Sequence, residues 1–251
     1  NGSLDIVILA ASLYASFDPS FFVLSVPYLF DDAQQLQDYL NSDTGVDLFN
    51  RVESMGITCL GRWTRSFRQV TNNVRPTTCP ADLEGLTLRT PSNSLYVEFF
   101  DACGANVNPM NFSEVYNALQ LNTLDGQENP VDVPATNNFY EVQKYISATN
   151  HIADAWVVGM NSAKLSGLSE DQQNALRQAA EECQQWYVDY QAEKDGEMLQ
   201  LLTDNGMEYN ELTEEGFNQF VEISQSLYPM FKTLVENDEL FDTTVEFCGK
   251  A

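Results

Sequence analysis

Positive charge is what this 251-residue chain has least of: 12 Lys plus Arg stand against 37 Asp plus Glu, a formal net charge of −25. That balance argues against nucleic acid, whose binders need basic patches to neutralise phosphates. It keeps the molecule soluble and repels anions at long range, and its plain reading is a solvated acidic surface. Histidine is almost missing too. With His151 alone, Ser/His/Asp and Cys/His schemes of nucleophilic catalysis are weakened. Cys59, Cys79, Cys103, Cys183 and Cys248 show no CxxC or Cys/His spacing, so a structural zinc site is not expected, and nothing calls for a cofactor. An odd number of cysteines leaves at least one thiol without an intrachain partner, while an exported compartment would permit a disulfide among the rest. No apolar run reaches the length of a membrane span and no signal peptide is visible, so the chain is not expected to be membrane-embedded. Because it runs from Asn1 almost directly into a strand-like segment, a processed or truncated start is expected.

The scarce cations are clustered. Arg51, Arg62, Arg65, Arg68, Arg75 and Arg89 all fall in one stretch, leaving only Arg177 elsewhere. An acidic protein that binds an anion needs such a local reserve, since guanidinium forks hold carboxylates bidentately and stay charged; pairing with neighbouring acids is the plain alternative. Hydrophobic content is 43%, and the length suits one large domain or two small ones.

Periodicity predicts an α/β chain. Leu4 to Leu9 reads as a buried strand. The apolar run Phe21 to Phe30, broken by Pro27, reads as core-packing loop with a short strand. Helices are expected over Ala33 to Leu40, behind Asp31 and Asp32, and over Asp43 to Met55, ended by Gly56. Ile57 to Leu60 is a strand candidate, as is Leu86 to Arg89. Two further helices, Leu95 to Ala102 and Ser113 to Leu121, flank the extended segment Asn106 to Met110. The peptide Asp125 to Pro130, DGQENP, reads as a loop, because Asp-Gly and Asn-Pro form turns. Asn137 to Ile146 has a helical face, and His151 to Met160 reads as a strand. Ser169 and Gln172 stand in capping-box positions. From there to about Leu202 no proline occurs, which predicts one helix of roughly thirty residues, about 45 Å long, bridging two lobes. Helices are expected again from Thr213 and over Glu239 to Cys248. Ligands in such architectures sit where strands end and loops converge, which singles out Arg89 and the DGQENP loop. Asp125 and Glu128 have the composition of an acid and base pair, but hydrogen bonding within their loop is the expected role; His151 is expected to be structural.

PYLF (Pro27 to Phe30), SFRQVTNNVRP (Ser66 to Pro76), LEGLTLRTP (Leu83 to Pro91), NFSEVYNALQ (Asn111 to Gln120), DGQENP and FYEVQKYISATNH (Phe139 to His151) carry a resemblance. In order and spacing the chain resembles the extracytoplasmic substrate-binding proteins of TRAP transporters, the DctP-like family. The resemblance implies a two-lobed, periplasmic-binding-protein-like α/β fold closing over an organic acid, with a long helix spanning both lobes. It implies that the arginine of the LRxP strand, here Arg89, bridges the ligand carboxylate. Arg68, before the TNN segment, would help to bind the same end, Asn129 of the QENP segment would contact ligand, and Phe112 would line the pocket. Ser92 falls at a further polar contact, and Trp63, Trp156 and Asp154 are expected at the edge of the cleft. Lobe one would comprise residues 1–66 and 155–194, and lobe two 67–154 and 195–251. Family members carry roughly sixty further residues ahead of the first strand, so part of lobe one is expected to be absent. The implied function is capture of a carboxylate-containing acid, a C4-dicarboxylate or a sugar acid, in the periplasm for delivery to the membrane subunits, by a monomer and without catalysis. A ligand sensor for a signalling receptor, or a carboxylate-using hydrolase, would be the alternatives.

Overall fold

The computed structural model of the chain describes residues 3–251. In chain order the strands are β1 (Ile6–Ala10), β2 (Ile57–Arg65), β3 (Arg68–Asn72), β4 (Thr87–Thr90), β5 (Asn106–Pro109), β6 (Gly126–Pro130), β7 (Tyr145–Ala148), β8 (Asp154–Asn161) and β9 (Glu208–Glu211). The helices are α1 (Ala33–Asn41), α2 (Asp43–Asn50), α3 (Ser94–Ala102), α4 (Phe112–Gln120), α5 (Asp132–Thr136), α6 (Ser162–Ser166), α7 (Glu170–Asp204), α8 (Glu214–Ser226), α9 (Tyr228–Val235) and α10 (Asp238–Phe247).

Short polar side chains set where helices begin, because the first N–H groups of a helix need acceptors from outside it. Asp32 accepts from the Gln35 N–H at the head of α1, and Ser42 from the Gly45 N–H at the head of α2. The single helix expected to Met55 is instead α2 and a 3₁₀ turn, Arg51–Met55, ended by Gly56 at φ 73°. Ser169 and Gln172 form the expected capping box, and α7 runs 35 residues from it, unbroken at Gly196. At 1.5 Å per residue that is about 52 Å.

The strands form two sheets. The smaller has the order β1-β8-β2 and is antiparallel throughout. The larger has the order β5-β4-β6-β3-β7-β9; β4 lies parallel to β5 and β6, while β3 is antiparallel to β6 and β7. The chain passes from the small sheet to the large one in two residues, Ser66 and Phe67, and returns between Ala148 and Asp154. Helix α7 joins the two halves again. Near its start the Ala180 carbonyl accepts from Trp63 of β2, and near its end Leu202 packs with Val131, Ala135, Ile146 and Met207 beside the large sheet. Each sheet thus anchors one lobe of a two-lobed α/β fold.

Four further sequence expectations need correction. The strand expected to be buried at Leu4 to Leu9 forms as β1, but Leu4, Ile6 and Ile8 are exposed. Pro19–Ser25 is a 3₁₀ helix rather than loop and strand; Phe21, Val23 and Leu24 are buried in the main core, against which Phe220, Phe231 and Phe241 of the last helices also pack. Asn137 to Ile146 is no helix. Asn138 takes a left-handed φ of 57°, a 3₁₀ turn covers Phe139–Glu141, and Tyr145 onward pairs with β3 as β7. The DGQENP loop is strand β6, buried along its whole length between β4 and β3.

Candidate functional site

The short crossing between sheets places two arginines beside each other. Arg65 ends β2 in the small sheet and Arg68 begins β3 in the large one. Both are buried, and both donate through Nη1 to Oδ2 of Asp154, the first residue of β8, at 3.2 and 3.1 Å. Arg65 also reaches the carboxylate of Asp132, at the start of α5, with 3.3 Å from Nη2 to each oxygen. Its guanidinium carbon lies 4.1 Å from the centre of the Trp156 ring.

Arg68 is held on its other side by β6. Nε donates to Glu128 Oε2 at 2.5 Å, and Nη2 to Glu128 Oε1 and Asn129 Oδ1, both at 2.9 Å. Burial alone works against the Arg68 charge, but Glu128 more than offsets it and raises the pKa. Glu128 shows the converse: burial pushes its carboxyl up, while Arg68 and the His151 N–H hold it below the usual carboxylate value. His151 donates from Nε2 to Glu128 at 3.1 Å, and its Nδ1 pairs with the Thr149 hydroxyl at 2.8 Å. Such a network is tolerable inside a protein because every charge has a partner.

Arg89, from β4, is different. It is only 3% exposed, yet among the described residues Nε and Nη2 donate only to the Met110 carbonyl, at 3.0 and 2.7 Å. Among the described residues no carboxylate lies within ion-pair distance of it, in contrast with Arg65 and Arg68. Burial depresses its pKa to about 10, the charge of Arg68 adding to the effect and Glu128 opposing it. It therefore stays protonated at neutral pH, with the ring of Phe112 5.9 Å away.

Arg68, Arg89, Ser92, Phe112, Asn129 and Trp156 all line one cavity of about 530 Å³, together with Ala10, Ser12, Arg65 and Met110. Six of the eight residues expected in or at the edge of the cleft are thus brought together; of the other two, Asp154 does not line it and is bonded to Arg65 and Arg68. Phe112 is 44% exposed, a cavity wall and not core. Trp63 does not reach the cavity: it is covered by α7, with its ring beside Tyr187 and its N–H on the Ala180 carbonyl. Arg65 and Asp132 were not singled out. The signal available was the pair of arginines flanking two residues, Arg65-Ser-Phe-Arg68, at a strand junction. A hollow of about 710 Å³ between α1, β2 and α7 also contains arginines, but Arg62 there is half-buried and Arg177 exposed. All five cysteines are free thiols, and no described helix is long and apolar enough to cross a membrane.

Two sheets joined by short crossings and a long helix, with buried cationic side chains around the cavity between them, define a two-lobed solute-binding protein. The chain belongs to the bacterial extracellular solute-binding protein family 7, DctP, whose profile matches residues 1–234; this is a family of binding proteins and not of enzymes. It is 35% identical over 207 residues to the 2,3-diketo-L-gulonate-binding periplasmic protein of Escherichia coli (strain K12), covering 82% of this chain and 63% of that one. It is 35% identical over 212 residues to the C4-dicarboxylate-binding periplasmic protein DctP of Rhodobacter capsulatus, with the same coverage, 82% and 63%. The chain therefore spans less than two thirds of the length of these two relatives. Among solved structures, the sugar acid binding protein of Advenella mimigardefordensis in complex with galactonate superposes with a TM-score of 0.94 at 28% identity, covering 99% of this chain and 80% of that one.

Proposed function

We propose that this protein captures an organic acid by its carboxylate in the cavity between its lobes, outside the cytoplasmic membrane, and delivers it to the membrane subunits of a TRAP-type transporter. One observation carries the reading: Arg89 is a buried guanidinium whose only hydrogen-bond partner among the described residues is a backbone carbonyl, on the wall of a cavity. A buried charge without a counter-ion is costly. A carboxylate that accepts its free N–H groups removes that cost and gains charge-assisted, bidentate hydrogen bonds. Arg68 adds its field to the same end and has a second Nη1 hydrogen to offer, while Asn129, locked by Arg68 and Gln127, presents a fixed amide edge. Relatives that bind 2,3-diketo-L-gulonate, C4-dicarboxylates and galactonate support an acid as the ligand.

In this reading residues 1–66 and 155–194 form one lobe and 67–154 with 195–251 the other, and the crossings at 66–67 and 149–153 act as hinges. Closure excludes water from the cavity and strengthens each charge-assisted bond, and the closed form is what the transporter receives. The test is a thermal-shift screen against an organic-acid library, where a tight ligand raises apparent stability by mass action, followed by calorimetry. Because a lysine cannot reproduce the bidentate fork, Arg89→Lys should weaken binding at least tenfold, about 1.4 kcal/mol. Unchanged affinity would overturn the assignment.

A further inference from the structure

Tyr28 stands at a φ of 56°. Of the other non-glycine residues described at positive φ, Asn122, Asn138 and Asn150 are asparagines, which enter that region readily, and Glu236 ends a helix. A bulky aromatic there is strained, and such strain persists only where the surroundings over-determine it. Here they do. Tyr28 is buried, its ring packs against Phe99, Phe217 and Phe220, and the Pro27 carbonyl before it accepts from the Ser224 hydroxyl at 2.6 Å. In this conformation both polar ends of the residue reach one segment, the crossing at 149–153. The Tyr28 N–H donates to the His151 carbonyl at 2.8 Å, and its hydroxyl to the Thr149 carbonyl at 3.0 Å.

That crossing supports Arg68. The Ile152 carbonyl accepts from the Arg68 N–H at 2.9 Å, and the next residue, Gln69, exchanges two hydrogen bonds with Asn150. Between them, His151 accepts from the Thr149 hydroxyl on Nδ1 and donates Nε2–H to Glu128, which holds the Arg68 guanidinium through both carboxylate oxygens. The imidazole can do both only in one orientation and one tautomer. By gripping the carbonyls of residues 149 and 151, Tyr28 fixes the backbone on either side of Asn150, at φ 44°, and with it the ring. Tyr28 itself does not line the cavity.

We infer that Tyr28 is a positioning residue for ligand capture: by clamping the Thr149–His151 peptide it fixes the imidazole that orients Glu128, and through Glu128 the guanidinium that Arg68 turns to the cavity. The inference rests on capture of an acid by Arg89 and Arg68. A tyrosine serving only the core would use its ring alone; the hydroxyl bond and the strained φ are what the clamp adds.

Tyr28→Phe keeps the ring and its packing and removes the hydroxyl bond. Nitrogen and proton NMR of the only histidine in the chain reads the clamp directly. Wild type should show one neutral ring protonated at Nε2, and in Tyr28→Phe that proton should exchange with solvent at least about threefold faster, as the crossing opens more often. Calorimetry on the whole chain with gluconate, succinate and pyruvate supplies the second readout. For the acid that wild type binds most tightly, Tyr28→Phe should lower affinity at least about threefold, within the range for coupled networks. In a His151→Leu background, where Glu128 has no imidazole donor, the same change should alter affinity by less than about twofold, because the route is already cut. An unchanged exchange rate, or an equal loss of affinity in both backgrounds, would overturn the inference, while an Arg89→Lys variant that still binds poorly would leave carboxylate capture standing. If His151→Leu does not fold, the exchange rate and the affinity of Tyr28→Phe decide. A wild type that binds none of these acids would count against the proposed function, and the exchange rate would then decide whether Tyr28 is the clamp.

Discussion

His151 gives the residue scale a clean measurement, because no other histidine titrates in the chain. It is 1% exposed, against the edge of the Phe100 ring, and bonded through both nitrogens. Burial pushes its pKa below the ordinary histidine value, with Glu128 pulling the other way. The folded form thus keeps a neutral imidazole while the unfolded chain takes up a proton near pH 6.5. Stability from this residue is present above that value and falls as pH drops through it, until the folded form also protonates. The urea midpoint should decline between about pH 7 and pH 5, and His151→Gln should flatten that decline; an unaltered slope in the variant would assign it elsewhere. Asp195 has the opposite sign: burial raises its pKa, so its protonation favours the folded form nearer the carboxylate range. Arg89 and Arg68 were legible at this scale because guanidiniums are rare here and stand in recognisable segments. Arg65 was not, because its importance comes from Asp132 and Asp154, residues far away in sequence.

At the scale of elements, the DGQENP peptide shows how tertiary pairing overrides local preference. Asp-Gly and Asn-Pro favour turns, yet β3 and β4 on either side supply a ladder that the extended peptide completes. Gly126 is what lets the strands approach: a Cβ there would stand 2.3 Å from the Thr71 carbonyl oxygen and 2.8 Å from the Asn72 Cβ. Backbone cannot yield as a flexible side-chain end can. Gly126→Ala should therefore cost about 1–3 kcal/mol of stability, the range for overpacking, read from the urea midpoint. It should also weaken acid binding, because Glu128 and Asn129 follow on the same strand. A variant as stable as wild type would refute the steric argument. The stretch around Phe139 failed as a predicted helix for a related reason: its apolar spacing matched a helix, but Asn138 turns the chain and β3 captures the rest. Capping chemistry, in contrast, is local, and Ser169 with Gln172 marked the start of α7 as expected.

The whole molecule carries a net charge of −25, and its few lysines are spent on exposed pairs such as Lys232 with Asp242 and Lys144 with Glu208. Exposed pairs of this kind contribute little, whereas self-repulsion among so many acids opposes the compact state. Salt screens that repulsion, shortening the Debye length from about 30 Å at 0.01 M to about 8 Å at 0.15 M. The melting temperature should accordingly rise between these salt concentrations, as calorimetry with sodium chloride would show; a fall would mean that the attractive pairs dominate instead.

The sequence by itself determined the α/β class, the long bridging helix, the family resemblance and six residues of the cavity wall, because periodicity, caps and clustered arginines are encoded over short distances. Only the tertiary structure decided that, of the three arginines lining the cavity, Arg89 is the one without a carboxylate among the described residues, that Arg65 and Arg68 share Asp154, and that Asp132 lies against Arg65. Those are statements about charges brought together from segments as far apart as β2, β6 and β8, and no local pattern records which acid a folded chain will place beside which base.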